Sequence, residues 1–198
     1  MNERTKKLKN LGLFSAKDVV PLGIDRVTLS RWTEAGKIER VGRGLYWHPD
    51  GKIEADELDF AVGCRICGPQ SFVGGMTALF HYNLLDSPPV KIWMIAPHGK
   101  VTANKKYHVI QSNGNLSAGV IKEKFYRVSS LERTLVEVLR YTNKVGLDTA
   151  LTASISAIQS NQTSPEKILR LAKKIGLASA VMKHWEVLIS AQEVAQNG

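Results

Sequence analysis

Leucines at positions 8, 11 and 13 punctuate an otherwise basic stretch and suggest a first helix over 1–13. Ser15 followed three residues later by Asp18 reads as a capped start for a second, short helix, which Pro21 ends or kinks near Val20 to Leu22. Gly23 suits the turn that follows. Asp25 then offers an N-cap for a third helix over 26–35, and Gly36 offers its left-handed stop. On a 3.6-residue wheel this helix sets Thr28, Leu29, Trp32 and Ala35 on one side and Arg26, Val27, Ser30 and Thr33 on the other, with Arg31 flanking.

The pattern then changes from helical to alternating. Lys37 to Val41 and Leu45 to His48 read as two strands joined by Gly42-Arg43-Gly44, which leaves an arginine at the tip of a hairpin. Pro49-Asp50-Gly51 makes a turn, and the acidic "IEADELD" marks a linker or helix into a second domain. Residues 71–85, with Met76, Leu79, Phe80 and Leu84, predict a helix stopped by Pro88-Pro89. "VKIWMIAP", "KKYHVIQ" and "KFYRV" alternate as strands of a small sheet. Ser129 with Glu132 predicts the cap of an amphipathic helix ending near Tyr141. Further helices are expected over 146–160, from the cap Ser164 with Pro165 at the first position, and over 178–196. The fold class is therefore α+β, with an N-terminal winged helix-turn-helix domain over 1–56 and a C-terminal domain over 57–198 holding a small sheet and several helices.

Three helices and a hairpin are the plan of the winged helix-turn-helix, and the spacing agrees. Val19, Gly23, Leu29 and Trp32 place an apolar residue in one helix, a glycine in the turn and two apolar residues in the next helix. The outer face of that next helix is left for the major groove. Arg26, Ser30 and Arg31 are placed to meet bases or nearby phosphates, and Arg43 the minor groove or backbone. Lys6, Lys7, Lys9, Lys17 and Arg40 add phosphate contacts. A winged helix that only docks proteins is the competing reading, against which stands the cationic and hydroxylated outer face.

Charge sharpens this picture. The 198 residues carry a formal net charge of +9, and a basic surface attracts polyanions whatever the fold. Residues 1–43 hold ten Lys/Arg against five Asp/Glu, and residues 91–133 hold eight against two, with an acidic stretch between. Lys91, Lys100, Lys105 and Lys106, near Trp93 and Tyr107, form a candidate second nucleic-acid or partner surface; a solvated basic face is the plain alternative.

Other chemistry finds little support. Cys64 and Cys67 have the spacing of half a zinc site, but no second pair follows, so they read as buried core residues. His48, His81, His98, His108 and His184 are scattered, and neither a nucleophile elbow nor a phosphate-binding loop opens a helix. Arg133 beside Glu132 and Glu137 reads as an ordinary helix ion pair. No cofactor, metal or catalytic activity is expected. No apolar run is long enough to span a membrane and no signal peptide is evident, so a soluble cytoplasmic protein is expected.

The run "SAKDVVPLGIDRVTLSRWTEAGKIERVGRGLYW", with "MTALFHYNLLD", "KIWMIAPHG" and "VSSLERTLVEVLR" after it, resembles the AbiE-type (AbiEi) antitoxins of bacterial type IV toxin-antitoxin systems. Gly36 to Tyr46 carries the most specific part of the likeness. The resemblance implies a winged helix that binds inverted repeats in the promoter of its own operon and represses it. It also implies a C-terminal domain that counters a nucleotidyltransferase-like toxin in abortive infection without requiring a stable complex. Two alternatives stand beside it. A winged-helix regulator with a ligand-sensing C-terminal domain predicts a closed apolar pocket, and a nucleic-acid-processing enzyme predicts a clustered acidic metal site around Glu132 and Glu137.

Overall fold

The computed structural model of the chain describes residues 3–197 and divides into two compact units after Val62. That division falls eight residues into a helix, Ala55–Cys67, where the sequence placed a boundary after residue 56.

The first unit runs α1 (Glu3–Leu11), β1 (Leu13–Ser15), α2 (Ala16–Val19), a 3-10 turn (Val20–Leu22), α3 (Arg26–Glu34), β2 (Glu39–Gly42) and β3 (Leu45–Trp47). The first helix is shorter than expected because Gly12 turns left-handed, at φ 67°. Leu13 consequently enters a strand that the pattern did not predict, and Met1 and Asn2 lie outside the described residues. β1 and β2 flank β3, both antiparallel to it, which gives the three-stranded sheet of a winged helix.

Pro21 sits at the start of the 3-10 turn, where no bond within the turn needs its missing N–H, and the Gly23 N–H closes the turn on Val20 O at 2.9 Å. Leu8, Phe14, Val19, Ile24, Leu29 and Ile38 are buried together, with Trp32 and Tyr46 packed against them. Phe14 and Tyr46 stack with ring centroids 6.1 Å apart. Burying each such side chain contributes roughly 1.5–3 kcal/mol, and this small core fixes α3 on the sheet. Ala35, assigned to the inner side, is exposed, because it caps the helix where the chain leaves the core.

The second unit holds the rest of α4 (Ala55–Cys67), β4 (Phe72–Val73), α5 (Gly75–His81), β5 (Ile92–Pro97), β6 (Tyr107–Ser112), β7 (Val120–Lys122) and β8 (Arg127–Ser129). Then come α6 (Leu131–Arg140), α7 (Thr142–Val145), α8 (Leu147–Gln159), α9 (Pro165–Lys174), α10 (Ala178–Met182) and α11 (Trp185–Asn197). Its sheet has the order β6-β5-β4-β8-β7. The expected helix over 71–85 is thus corrected. Phe72 and Val73, both fully buried, form the central strand, and helix begins only at Gly75, behind the cap residue Gly74.

A Cβ at Gly74 would lie 2.6 Å from Ile95 Cγ1, and one at Gly75 2.7 Å from Trp93, so this corner closes only without side chains. The cap of α6 is Ser130, whose hydroxyl accepts the Arg133 N–H at 3.3 Å. Ser129, expected in that role, ends β8 with its hydroxyl 2.7 Å from that of Thr134. The final helix breaks at Lys183-His184 into α10 and α11. A large apolar cluster joins α6, α8, α9, α10 and α11, while Phe72, Ile95 and Ile110 of the sheet form a cluster of their own.

Candidate nucleic-acid interface

α3 begins where the Asp25 carboxylate accepts the Thr28 N–H at 2.7 Å; the Thr28 hydroxyl and then this N–H hold the Asp25 carboxyl below its ordinary range. This cap fixes which residues face outward. Arg26, Val27, Ser30, Arg31 and Glu34 are all exposed, while Leu29 is fully buried beneath them. Thr33, assigned to the outer side, is only half-exposed and donates its hydroxyl to Leu29 O at 2.8 Å. The sequence reading passed over Glu34, whose Oε1 accepts the Ser30 hydroxyl at 3.1 Å. The i, i+4 spacing of the two was the available signal.

The β2–β3 hairpin pairs Gly42 with Leu45, so Arg43 and Gly44 alone make the turn. Gly44 takes φ 66° with nothing near its missing Cβ, and Arg43 stands exposed at the tip. Arg40 is also exposed, but it bends along its own strand and donates Nε to Gly42 O at 3.3 Å. Lys17 on α2 and Lys6 on α1 are exposed; Lys7 is exposed and engaged with another residue. Lys9 departs from its expected role. Its ammonium lies 2.8 Å from Asp50 and its side chain is only 25% exposed, so it ties α1 to the turn after the wing. His48 at that turn is buried, and burial with Lys9 nearby pushes its pKa down.

The second basic segment is not one cluster. β5 and β6 run parallel, Ile92 beside Tyr107 through Pro97 beside Ser112, and only residues 98–106 return between them. Parallel strands are usually joined by a dozen residues or more; these nine turn at both ends, where the Lys100 N–H donates to Pro97 O at 3.2 Å and the Tyr107 N–H to Asn104 O at 3.1 Å. They leave Lys105 and Lys106 at the start of the strands, where the Ile92 N–H donates to Lys106 O at 2.9 Å beside Lys91. Lys100 is carried to the opposite end, its Cε 3.7 Å from where a Cβ on Gly68 would lie. Six strand residues, roughly 20 Å, separate the two ends. All four lysines are exposed. Lys144 and Lys91 lie close enough to His108 to join burial in lowering its pKa, and its ring sits 4.4 Å from Trp93.

Cys64 and Cys67 are 5% and 1% exposed, and burial raises both thiols, Cys67 to about 11. Among the described residues no group of three or more His, Cys, Asp or Glu is placed to hold a metal ion. Glu132 and Glu137 do not converge. Glu132 accepts from Thr163 at 3.1 Å, and Glu137 lies in the interior beside Arg133. No described helix is long and apolar enough to cross a membrane.

A helix-turn-helix closed by a three-stranded wing, with cations on the outward helix and at the wing tip, defines the first unit as a winged helix-turn-helix. Its residues 7–46, ending inside β3, match the family model described as "Transcriptional regulator, AbiEi antitoxin", the kind of protein the sequence resembles. No curated protein matches the sequence. In fold, the chain is similar to the crystal structure of the RV2827C protein from Mycobacterium tuberculosis. The TM-score is 0.65 at 13% identity, covering 95% of this chain and 75% of that one.

Proposed function

We propose that the chain is a DNA-binding antitoxin and transcriptional autorepressor, without catalytic activity of its own, acting in the cytoplasm. Its winged helix reads double-stranded DNA in the promoter of its own operon. Arg26, Ser30 and Arg31 lie toward base edges, and Arg43, Arg40 and Lys17 toward phosphates. Inverted repeats there call for two copies of the chain, one on each half-site. The second unit counters a nucleotidyltransferase-like toxin of a type IV, phage-defence system, with no stable complex required. Lys91, Lys105 and Lys106 at one end of the sheet and Lys100 at the other offer two basic points of contact for a polyanion.

The observation that carries this reading is the outward face of α3, where two arginines and a serine stand exposed above a fully buried Leu29. A face evolved for protein docking would present several apolar anchors there, where this one exposes a single valine, Val27, among charged and hydroxylated neighbours. The test is a fluorescence-anisotropy titration of the protein against DNA from immediately upstream of its gene, beside a scrambled duplex, at two salt concentrations. Binding that prefers the upstream DNA by roughly a thousandfold or more supports the proposal. Equal, weak binding to both sends the winged helix to protein docking.

A further inference from the structure

Among the described residues of α3, Arg26, Val27, Ser30, Arg31 and Glu34 are exposed, and Val27 is the one of the five whose side chain is wholly apolar. Val27, Ser30, Arg31 and Glu34 stand at i, i+3, i+4 and i+7, which is a single stripe along a helix. Val27 therefore lies within the outward face and not at its margin. Ser30 flanks it on one side and Arg31 on the other, each about one turn on, while the fully buried Leu29 lies opposite.

Nothing in the folding of the unit accounts for a valine there. It is 57% exposed and takes no part in the small core that holds α3 on its sheet. A β-branched side chain is also a poorer helix former than arginine, glutamine or glutamate, so a polar residue would serve the helix better. A lone apolar residue on a surface is ordinary in itself; here its neighbours narrow what can cover it. Arg26 precedes Val27 and Arg31 follows one turn later, so the covering group must accept two cations as well. One valine is too little apolar surface to anchor a protein between them. A DNA duplex supplies both parts: phosphates and acceptor base edges for the arginines and, in the major groove, the C5-methyl group of thymine. Val27 is the second residue of α3, and the N-terminal residues of such a helix are those that meet base edges.

We propose that Val27 is a specificity-determining residue that reads thymine, its branched side chain packing on the C5-methyl group in the major groove. The side chain is stiff at χ1 and brings no polar atom that the groove would leave unpaired. A cytosine at that position offers it no methyl and would leave the valine against bare ring edge. The inference rests on the DNA reading of α3 proposed above.

The experiment is an anisotropy titration of the full chain with the upstream duplex made in two forms, one with thymidine and one with deoxyuridine in its place throughout, beside the scrambled duplex. Deoxyuridine removes the C5-methyl and leaves base pairing and phosphates as they were. The parent is expected to prefer the upstream duplex to the scrambled one and to bind the uracil form about fourfold or more weakly than the thymine form, the worth of one buried methyl. Val27→Ser, a change at an exposed position, should bind the two forms alike, with the slope of log K against log salt unchanged because no phosphate contact is lost. The proposal is overturned if the parent binds both forms equally, or if Val27→Ser keeps the full difference, which would assign the methyl contact to another residue. Either result leaves the upstream preference, and with it the DNA reading, in place. A parent that binds upstream and scrambled DNA equally removes both.

Discussion

Arg133 Nε donates to Glu137 Oε1 at 2.9 Å across one turn of α6, with both side chains no more than 3% exposed. The same i, i+4 pair on a helix surface would matter little. In the interior, each charge has lost its water and depends on the other. Burial outweighs the attraction of Arg133 and raises the Glu137 pKa from 4.5 to about 7.

The raised value sets the sign of a pH dependence. The folded state holds the Glu137 proton up to about pH 7 and the unfolded state only to about 4.5, so this group's stabilising contribution is complete below 4.5 and lost as pH rises through 7. Burial depresses His48 and His108, and their contribution runs the other way, lost as pH falls below 6.5. Comparison with Glu137→Gln isolates the first effect. Urea unfolding of parent and variant across pH 4.5–7 should show the parent's advantage shrinking by on the order of 1 kcal/mol per pH unit. A constant difference would mean that Glu137 stays ionised throughout.

Replacing Arg26 and Arg31 together by alanine should reduce discrimination between upstream and scrambled DNA, by roughly 1–3 kcal/mol for each true base contact. Anisotropy titrations of both duplexes measure this directly. Unchanged discrimination would remove these arginines from base reading.

Arg43→Ala should act differently. With the arginine at an exposed wing tip, the slope of log K against log salt should fall by about 1, with relative affinities for different sequences preserved. A change in sequence preference at constant slope would place Arg43 on a base.

Gly74→Ala tests the corner that ends β4. The added methyl would meet Ile95 Cγ1 at 2.6 Å and Glu137 Oε2 at 3.2 Å, and overpacking of this kind costs about 1–3 kcal/mol. Chemical denaturation should show that loss without a change in DNA affinity, because Gly74 and the winged helix belong to different units.

Local chemistry made the first unit legible in the sequence. Asp25, Gly36, Pro21 and the hairpin glycine Gly44 act on their immediate neighbours, and each appears in the structure in the place its chemistry requires, while Gly42, expected in the turn, pairs with Leu45 as the end of β2. The resemblance to AbiEi antitoxins holds in the same region, over residues 7–46. β4 was illegible for the opposite reason. Two residues buried on both faces show no alternation, and only the distant partners Ile95, Met94 and Val128 make them a strand. Arg133 and Glu137 carry a surface spacing into the interior, and their burial depends on Phe72, Asn115 and Ala118, which no local pattern connects. Ser130 displaced Ser129 as a cap because β8 continues one residue further than its alternation indicated.

The hydrogen bond from Ser30 to Glu34 bears on the proposed DNA reading. A carboxylate held on an otherwise cationic helix is repelled by every phosphate it passes and rewarded only by a base amino group, such as N4 of cytosine. Glu34 would then lower affinity for DNA in general and spare the sites that offer that amino group. Discrimination would come in part from what this helix refuses, and the time the protein spends on wrong sequences would be shortened by an acid among arginines.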